Sequence, residues 1–82
     1  MKKVLRFTAS WCQPCKAMAA ILDDIETTTP IEIIDIDENQ ELAVKYNVRG
    51  VPTLIMINEN GEAVNRMMGI KAKNLVEEFL NA

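Results

Sequence analysis

No histidine occurs in this chain of 82 residues, and its two cysteines, Cys12 and Cys15, are the only strong metal-binding side chains of the soft type. A closed zinc site needs four ligands, so one chain cannot build one from these residues, and a shared metal would need two chains. No apolar run approaches the roughly 18 residues of a membrane-spanning helix. After Met1-Lys2-Lys3, Arg6 interrupts the apolar stretch within two residues, so no cleavable secretory segment is expected and the chain should stay in the cytoplasm where it is made. Basic residues are too few for a phosphate-binding face: nine Lys and Arg are scattered among twelve Asp and Glu, for a net charge of −3, which argues against a nucleic-acid partner. Repeats, low-complexity tracts and linkers are missing too, and the length suits one domain, residues 1–82.

What remains is an ordinary soluble composition, 49% hydrophobic and 26% charged, enough for one modest core. The three glycines and three prolines fall at element boundaries. Lys3 to Ala9 reads as a strand with Val4, Leu5 and Phe7 apolar. A helix follows, with Pro14 in its first turn, where the missing amide costs nothing. Met18, Ile21, Leu22 and Ile25 form its apolar stripe before Thr27-Thr28-Thr29-Pro30 ends it. Ile31 to Asp37 is a second strand, parallel to the first because a helix connects them. Asn39 caps a short helix to about Tyr46 with Leu42 inward, and the run Asp35, Asp37, Glu38 caps that helix and faces solvent. Thr53 to Asn58 is apolar on both faces and therefore central. Glu59-Asn60-Gly61 turns a hairpin into an amphipathic outer strand, Glu62 to Met68, ended by Gly69. A helix over Asn74 to Leu80 closes the chain, with Leu75, Val76, Phe79 and Leu80 on one side. The predicted order is β-α-β-α-β-β-α, an α/β fold with a four-stranded mixed sheet and helices on both faces.

Cys12-Gln13-Pro14-Cys15 is the chemical centre. Residues i and i+3 at a helix start face the same way, so the sulfurs can bond with little backbone movement. The ring they close is short, so the bond removes little chain entropy and is free to be made and broken. Unpaired amides at the helix start, the helix dipole and Lys16 one turn on all favour a thiolate at Cys12. Met67-Met68 packs on the outer strand, and the flexible thioether of Met68 also suits contact with varied partners.

Trp11-Cys12-Gln13-Pro14-Cys15-Lys16 resembles the thioredoxin active-site motif, with Gln13 where the family usually has glycine. Tyr46-Asn47-Val48-Arg49-Gly50-Val51-Pro52-Thr53 is similar to the family's second signature. Asn60-Gly61 and Gly69 also fall where thioredoxins place them. The resemblance covers essentially the whole chain; what is missing is the strand and helix with which full-length thioredoxins begin, so the chain looks like the minimal, glutaredoxin-sized version. It implies a minimal thioredoxin fold and a thiol–disulfide oxidoreductase that reduces protein disulfides. It further implies Cys12 as the exposed nucleophile, Cys15 as the more buried resolving thiol, and Pro52 as a cis proline facing them. Val51 is expected to pair its backbone with the substrate. Trp11, Gln13, Pro14, Gly50, Met68 and Gly69 complete the substrate-binding rim. No cofactor beyond the disulfide is implied. Implied partners are disulfide-containing proteins and an electron donor, a thioredoxin reductase or glutathione, with the protein working as a monomer.

Two positions depart from the pattern. The family's buried aspartate falls on Arg6 and its accompanying lysine on Ile33. Arg6 is either a solvated strand residue or a cation near the sulfurs that stabilises the thiolate and raises the oxidising power, with Lys16 as a second tuning charge. Glutathione-dependent glutaredoxin-like chemistry is the alternative that the short length favours; Trp11, Pro14 after Gln13 and Val-Pro-Thr favour thioredoxin. A non-catalytic interaction module on the same fold is the alternative of a different class.

Overall fold

A computed structural model describes residues 1–82, and its elements follow from where apolar residues can be buried. The chain forms β1 (Lys3–Thr8), α1 (Gln13–Asp23), β2 (Ile31–Asp35), α2 (Gln40–Lys45), β3 (Thr53–Ile57), β4 (Ala63–Met68) and α3 (Lys73–Leu80). One sheet runs in the order β2-β1-β3-β4. β1 is parallel to β2, through the crossover helix that such pairing demands, and antiparallel to β3, while β3 and β4 form a hairpin. This is the expected β-α-β-α-β-β-α fold.

Alternation along β1 divides the interior in two. Val4 points to one face and packs with Met18, Ile25, Leu54, Met56, Val76, Phe79 and Leu80, the layer built with α1 and α3. Leu5 and Phe7 point to the other, where Ile34, Tyr46, Ile55 and Ile57 meet them. All five residues of β3 are buried, as a central apolar run requires. The hairpin turns through Gly61 at φ 79°, and the Tyr46 hydroxyl donates to the Gly61 carbonyl at 2.7 Å, tying the end of α2 to the turn.

Several local expectations are corrected. Leu75 is 45% exposed: only Val76, Phe79 and Leu80, spaced i, i+3, i+4, share the buried stripe, and Leu75 lies a quarter-turn off it. Asn39 stands at the N-cap of α2 without a side-chain capping bond; its amide donates to the Asp35 carbonyl instead. β2 ends at Asp35, whose carboxylate accepts the Asp37 amide and turns the chain out of the sheet. β4 is less amphipathic than its sequence suggests. The register shift between Met56 and Ile57 leaves Val64 unpaired at a bulge and half exposed, and only Met67 is drawn against the core. β2 is an outer strand with one neighbour, and Ile33 on it is 63% exposed.

Because Leu54 is fully buried at the centre of the larger layer, Leu54→Ala is expected to cost about 2–5 kcal/mol of stability, whereas Val64→Ala at the bulge should cost less than about 0.5 kcal/mol. Urea unfolding of the two variants measures the contrast, and equal losses would contradict this core assignment.

Candidate active site

The cysteines are placed by the way β1 hands over to α1. After Thr8 the chain turns, with the Cys12 amide donating to the Ala9 carbonyl, and Cys12 becomes the N-cap of the helix in extended conformation (φ −93°, ψ 109°). Its Sγ accepts the Cys15 amide at 3.1 Å. A sulfur thus occupies the position where a serine or aspartate oxygen usually satisfies one of the free amides of a first turn. Pro14 sits beside it in the first turn and withdraws one donor that would otherwise lack a partner. Cys12 and Cys15 are joined in a disulfide, with their Cα atoms 5.2 Å apart. When that bond is reduced, a thiolate at Cys12 faces an aligned amide and the positive end of an eleven-residue helix, both of which favour the charge.

Burial does not distinguish the two sulfurs as expected. Cys12 is 4% exposed and Cys15 3%, and both pack with Ala9 against Ile36 and Val51. In the oxidised form the side chains around the pair cover Cys12 as closely as its partner, so the expectation of an exposed Cys12 is corrected. What differs is orientation: Cys12 Sγ lies 3.7 Å from the Val51 carbonyl oxygen. The Val51–Pro52 bond is cis, and Pro52 is buried at the mouth of β3. Two bonds fasten this loop. The Thr53 hydroxyl donates to the Gly50 carbonyl at 2.7 Å, and the Gly69 amide donates to the Pro52 carbonyl at 2.8 Å. Gly69, at φ 77°, takes a conformation that side chains rarely adopt.

Around the disulfide the predicted rim residues lie at one end of the sheet. Trp11 is 65% exposed and Met68 59%; Gln13, Pro14 and Gly50 are exposed, and Val51 and Gly69 half-buried. Ile70, 46% exposed, follows Gly69 and was not anticipated as part of this surface. One surface depression lies at the opposite end of the sheet among Met1, Lys2, Asn58, Glu59 and Asn60, and another, among Asp37, Glu38, Asn39, Gln40 and Glu41, adjoins the Trp11 side of the rim. With Trp11, Met68 and Ile70 exposed at this end of the sheet, the surface beside the disulfide is largely apolar, a character that suits another polypeptide.

Asp37 is a site residue that the sequence reading missed. Its carboxylate accepts the Trp11 indole N–H at 3.0 Å and pins the ring beside Cys12 from the β2–α2 loop. Read as one acid in a solvent-facing run, it carried no local signal; a partner for the polar end of an exposed tryptophan was the clue available. Arg6 is half-buried, in register with Ile33 and Leu54, on the α1 side of the sheet. The three ion pairs of the structure involve other residues, so neither Arg6 nor the exposed Lys16 is held at the sulfurs by an acid. No three His, Cys, Asp or Glu side chains converge as a metal site would require.

A dithiol capping a helix, opposite a cis-proline loop and within an apolar rim, defines a domain for thiol–disulfide exchange. Comparison with known proteins agrees. The thioredoxin family profile matches residues 1–82. Similar proteins include the thioredoxin of Bacillus subtilis, 39% identical over 79 residues covering 92% of this chain and 75% of that protein. The thioredoxin of Buchnera aphidicola is 40% identical over 79 residues, covering 92% and 72%. Among solved structures, a mutant thioredoxin from Halobacterium salinarum superposes with a TM-score of 0.87 at 33% identity, covering 98% of this chain and 72% of that one. Fasciola hepatica thioredoxin gives 0.84 at 29% identity, covering 98% and 78%. The chain belongs to the thioredoxin family. It is a thiol–disulfide oxidoreductase, a protein-disulfide reductase.

Asp37→Ala is expected to release the Trp11 indole, raising acrylamide quenching of the only tryptophan while costing no more than about 1 kcal/mol of stability, since the bond is exposed. Unchanged quenching would show that the bond is not made in solution.

Proposed function

We propose that Cys12 is the attacking thiol and Cys15 the resolving one. The observation that carries this is the position of Cys12 Sγ, at the helix N-cap and facing the Val51 carbonyl. A thiolate at Cys12 attacks one sulfur of a substrate disulfide. A mixed disulfide forms between Cys12 and that sulfur, and the other substrate sulfur leaves as a thiolate. The Cys15 thiolate then attacks Cys12 Sγ, which restores the internal disulfide and releases the second substrate thiol. Two electrons have passed to the substrate, and an external dithiol, or two molecules of a monothiol, must return them. A thioredoxin reductase or glutathione serves as that donor, and the protein works as a monomer in the cytoplasm, where the thiol pool keeps such pairs cycling.

Val51 pairs its backbone with the extended substrate segment beside the disulfide, as sheet edges capture peptides elsewhere. Trp11, Gln13, Pro14, Gly50, Pro52, Met68 and Gly69 form the surface around that segment. Their largely apolar character supports affinity for many sequences, with the thioether of Met68 able to adapt to each.

Titration of the purified protein in glutathione buffers, followed by Trp11 fluorescence, is expected to show a reversible two-electron transition. Cys12→Ser should abolish it together with insulin reduction, while Cys15→Ser should accumulate the mixed disulfide with substrate. A titration that survives Cys12→Ser would sink the assignment. Arg6 and Lys16 are the remaining charges to weigh. Arg6→Asp replaces a cation with an anion on the sheet below α1, so it should destabilise the reduced thiolate and lower the midpoint potential. An unchanged potential would remove Arg6 from the chemistry.

A further inference from the structure

One arginine has a role that neither the motif nor the cysteines explain. Arg66 lies on β4, opposite Ile55 of β3, and so points to the face of the sheet that carries α2. Its Nη2 donates to the Tyr46 carbonyl at 2.5 Å and its Nη1 to the Asn47 carbonyl at 3.3 Å. These two carbonyls stand where α2 stops. The helix closes in a Schellman arrangement: the Val48 amide bonds back to the Ala43 carbonyl, the Asn47 amide to Val44, and Asn47 adopts φ 55°. No backbone amide reaches the Tyr46 or Asn47 oxygens, so the guanidinium is their protein donor. It is charged, forked and planar, and it sits at the negative end of a helix, each of which strengthens the contact.

Position makes the contact informative. Four residues separate Asn47 from Pro52, and they include Gly50 and Val51. Two residues beyond Arg66 is Met68, and the next, Gly69, donates to Pro52. The two walls of the rim, 47–52 and 68–69, are therefore joined at their tips by the Gly69–Pro52 bond and at their base by Arg66. The Arg49 side chain adds a third link, Nε to the Asn47 side-chain oxygen at 3.2 Å, within the loop itself. Remove Arg66, and the Tyr46 and Asn47 carbonyls lose their protein donor, so that no side chain of β4 ties the base of the loop to the sheet.

We propose that Arg66 is a positioning residue for substrate: it fixes the base of the 47–51 loop so that the Val51 backbone is already set for pairing when a disulfide-bearing segment arrives. This rests on the reading that Val51 docks the substrate. Arg66 is exposed and joins neither sulfur nor core, so its loss acts on docking rather than on electron transfer or folding. Lysine offers one point charge where arginine offers a fork, and restores the contact only in part.

The test is insulin reduction by the full chain carrying Arg66→Ala, Arg66→Lys or Val51→Glu, with unfolding midpoints and redox titrations alongside. Arg66→Ala is expected to raise KM about fivefold with kcat changed by less than about twofold, the size of one hydrogen bond of ordinary net strength. The redox midpoint should not move, Arg66→Lys should fall between, and amide exchange at 48–51 should quicken ahead of global unfolding. A merely structural arginine would lower the unfolding midpoint and leave KM alone, and that result overturns the proposal. Should Arg66→Ala fail to fold, Arg66→Lys decides by the same KM criterion. If Val51→Glu raises KM and Arg66→Ala does not, the positioning role falls by itself. If neither does, the docking reading falls and takes it along.

Discussion

The antiparallel pairing of β1 with β3 is the contact from which the chemistry follows. Phe7 lies opposite Thr53, so β1 leaves the sheet at the edge where β3 enters it. Five residues past Phe7 is Cys12, and two before Thr53 is Val51, and the shared register brings them together although 39 positions separate them in sequence. A slip of one residue would turn Leu54 and Met56 toward the wrong layer, at a cost far larger than any single site contact, so the core guards the geometry of the disulfide. Both sides of β3 are buried, which leaves that register no freedom.

Charge is arranged sparingly around the pair. The anion of the reduced state is accommodated by an amide and a helix terminus, neither of which titrates, instead of by an acid–base partner beneath the helix. Arg6 and Ile33 occupy the two positions where the family usually has a buried aspartate and a lysine. Neither of the two side chains is a carboxylate or an amine.

Local pattern carried much of this fold, and the reasons for its failures are physical. β1 and α1 were legible because each buries a periodic apolar set, and β3 because its apolar run is continuous; the cysteines and the proline were legible because their spacing matched known motifs. The bulge at Val64 was not, since an extra residue in one strand is defined only against its partner. Leu75 looked apolar and inward, but a helix resting on one layer has room for a single stripe. Asp37 and Arg66 were missed for a common reason. Each bonds to a group about 20 or more positions away, Trp11 in one case and Tyr46 in the other, and nothing near either residue announces the partner.

The outer strand β2 has a consequence for the protein in bulk. Ile31–Asp35 leaves one flank of its backbone without a partner strand and sets an exposed Ile33 beside it, with little besides Glu32 and the overall negative charge to discourage a second strand from adding there. That protection is colloidal rather than steric, and it weakens as the carboxylates are protonated toward the isoelectric point near 4.8. Mild acid and high concentration are therefore the conditions that least oppose the pairing of one molecule's β2 with another's, at an edge of the sheet, while the disulfide lies at its end.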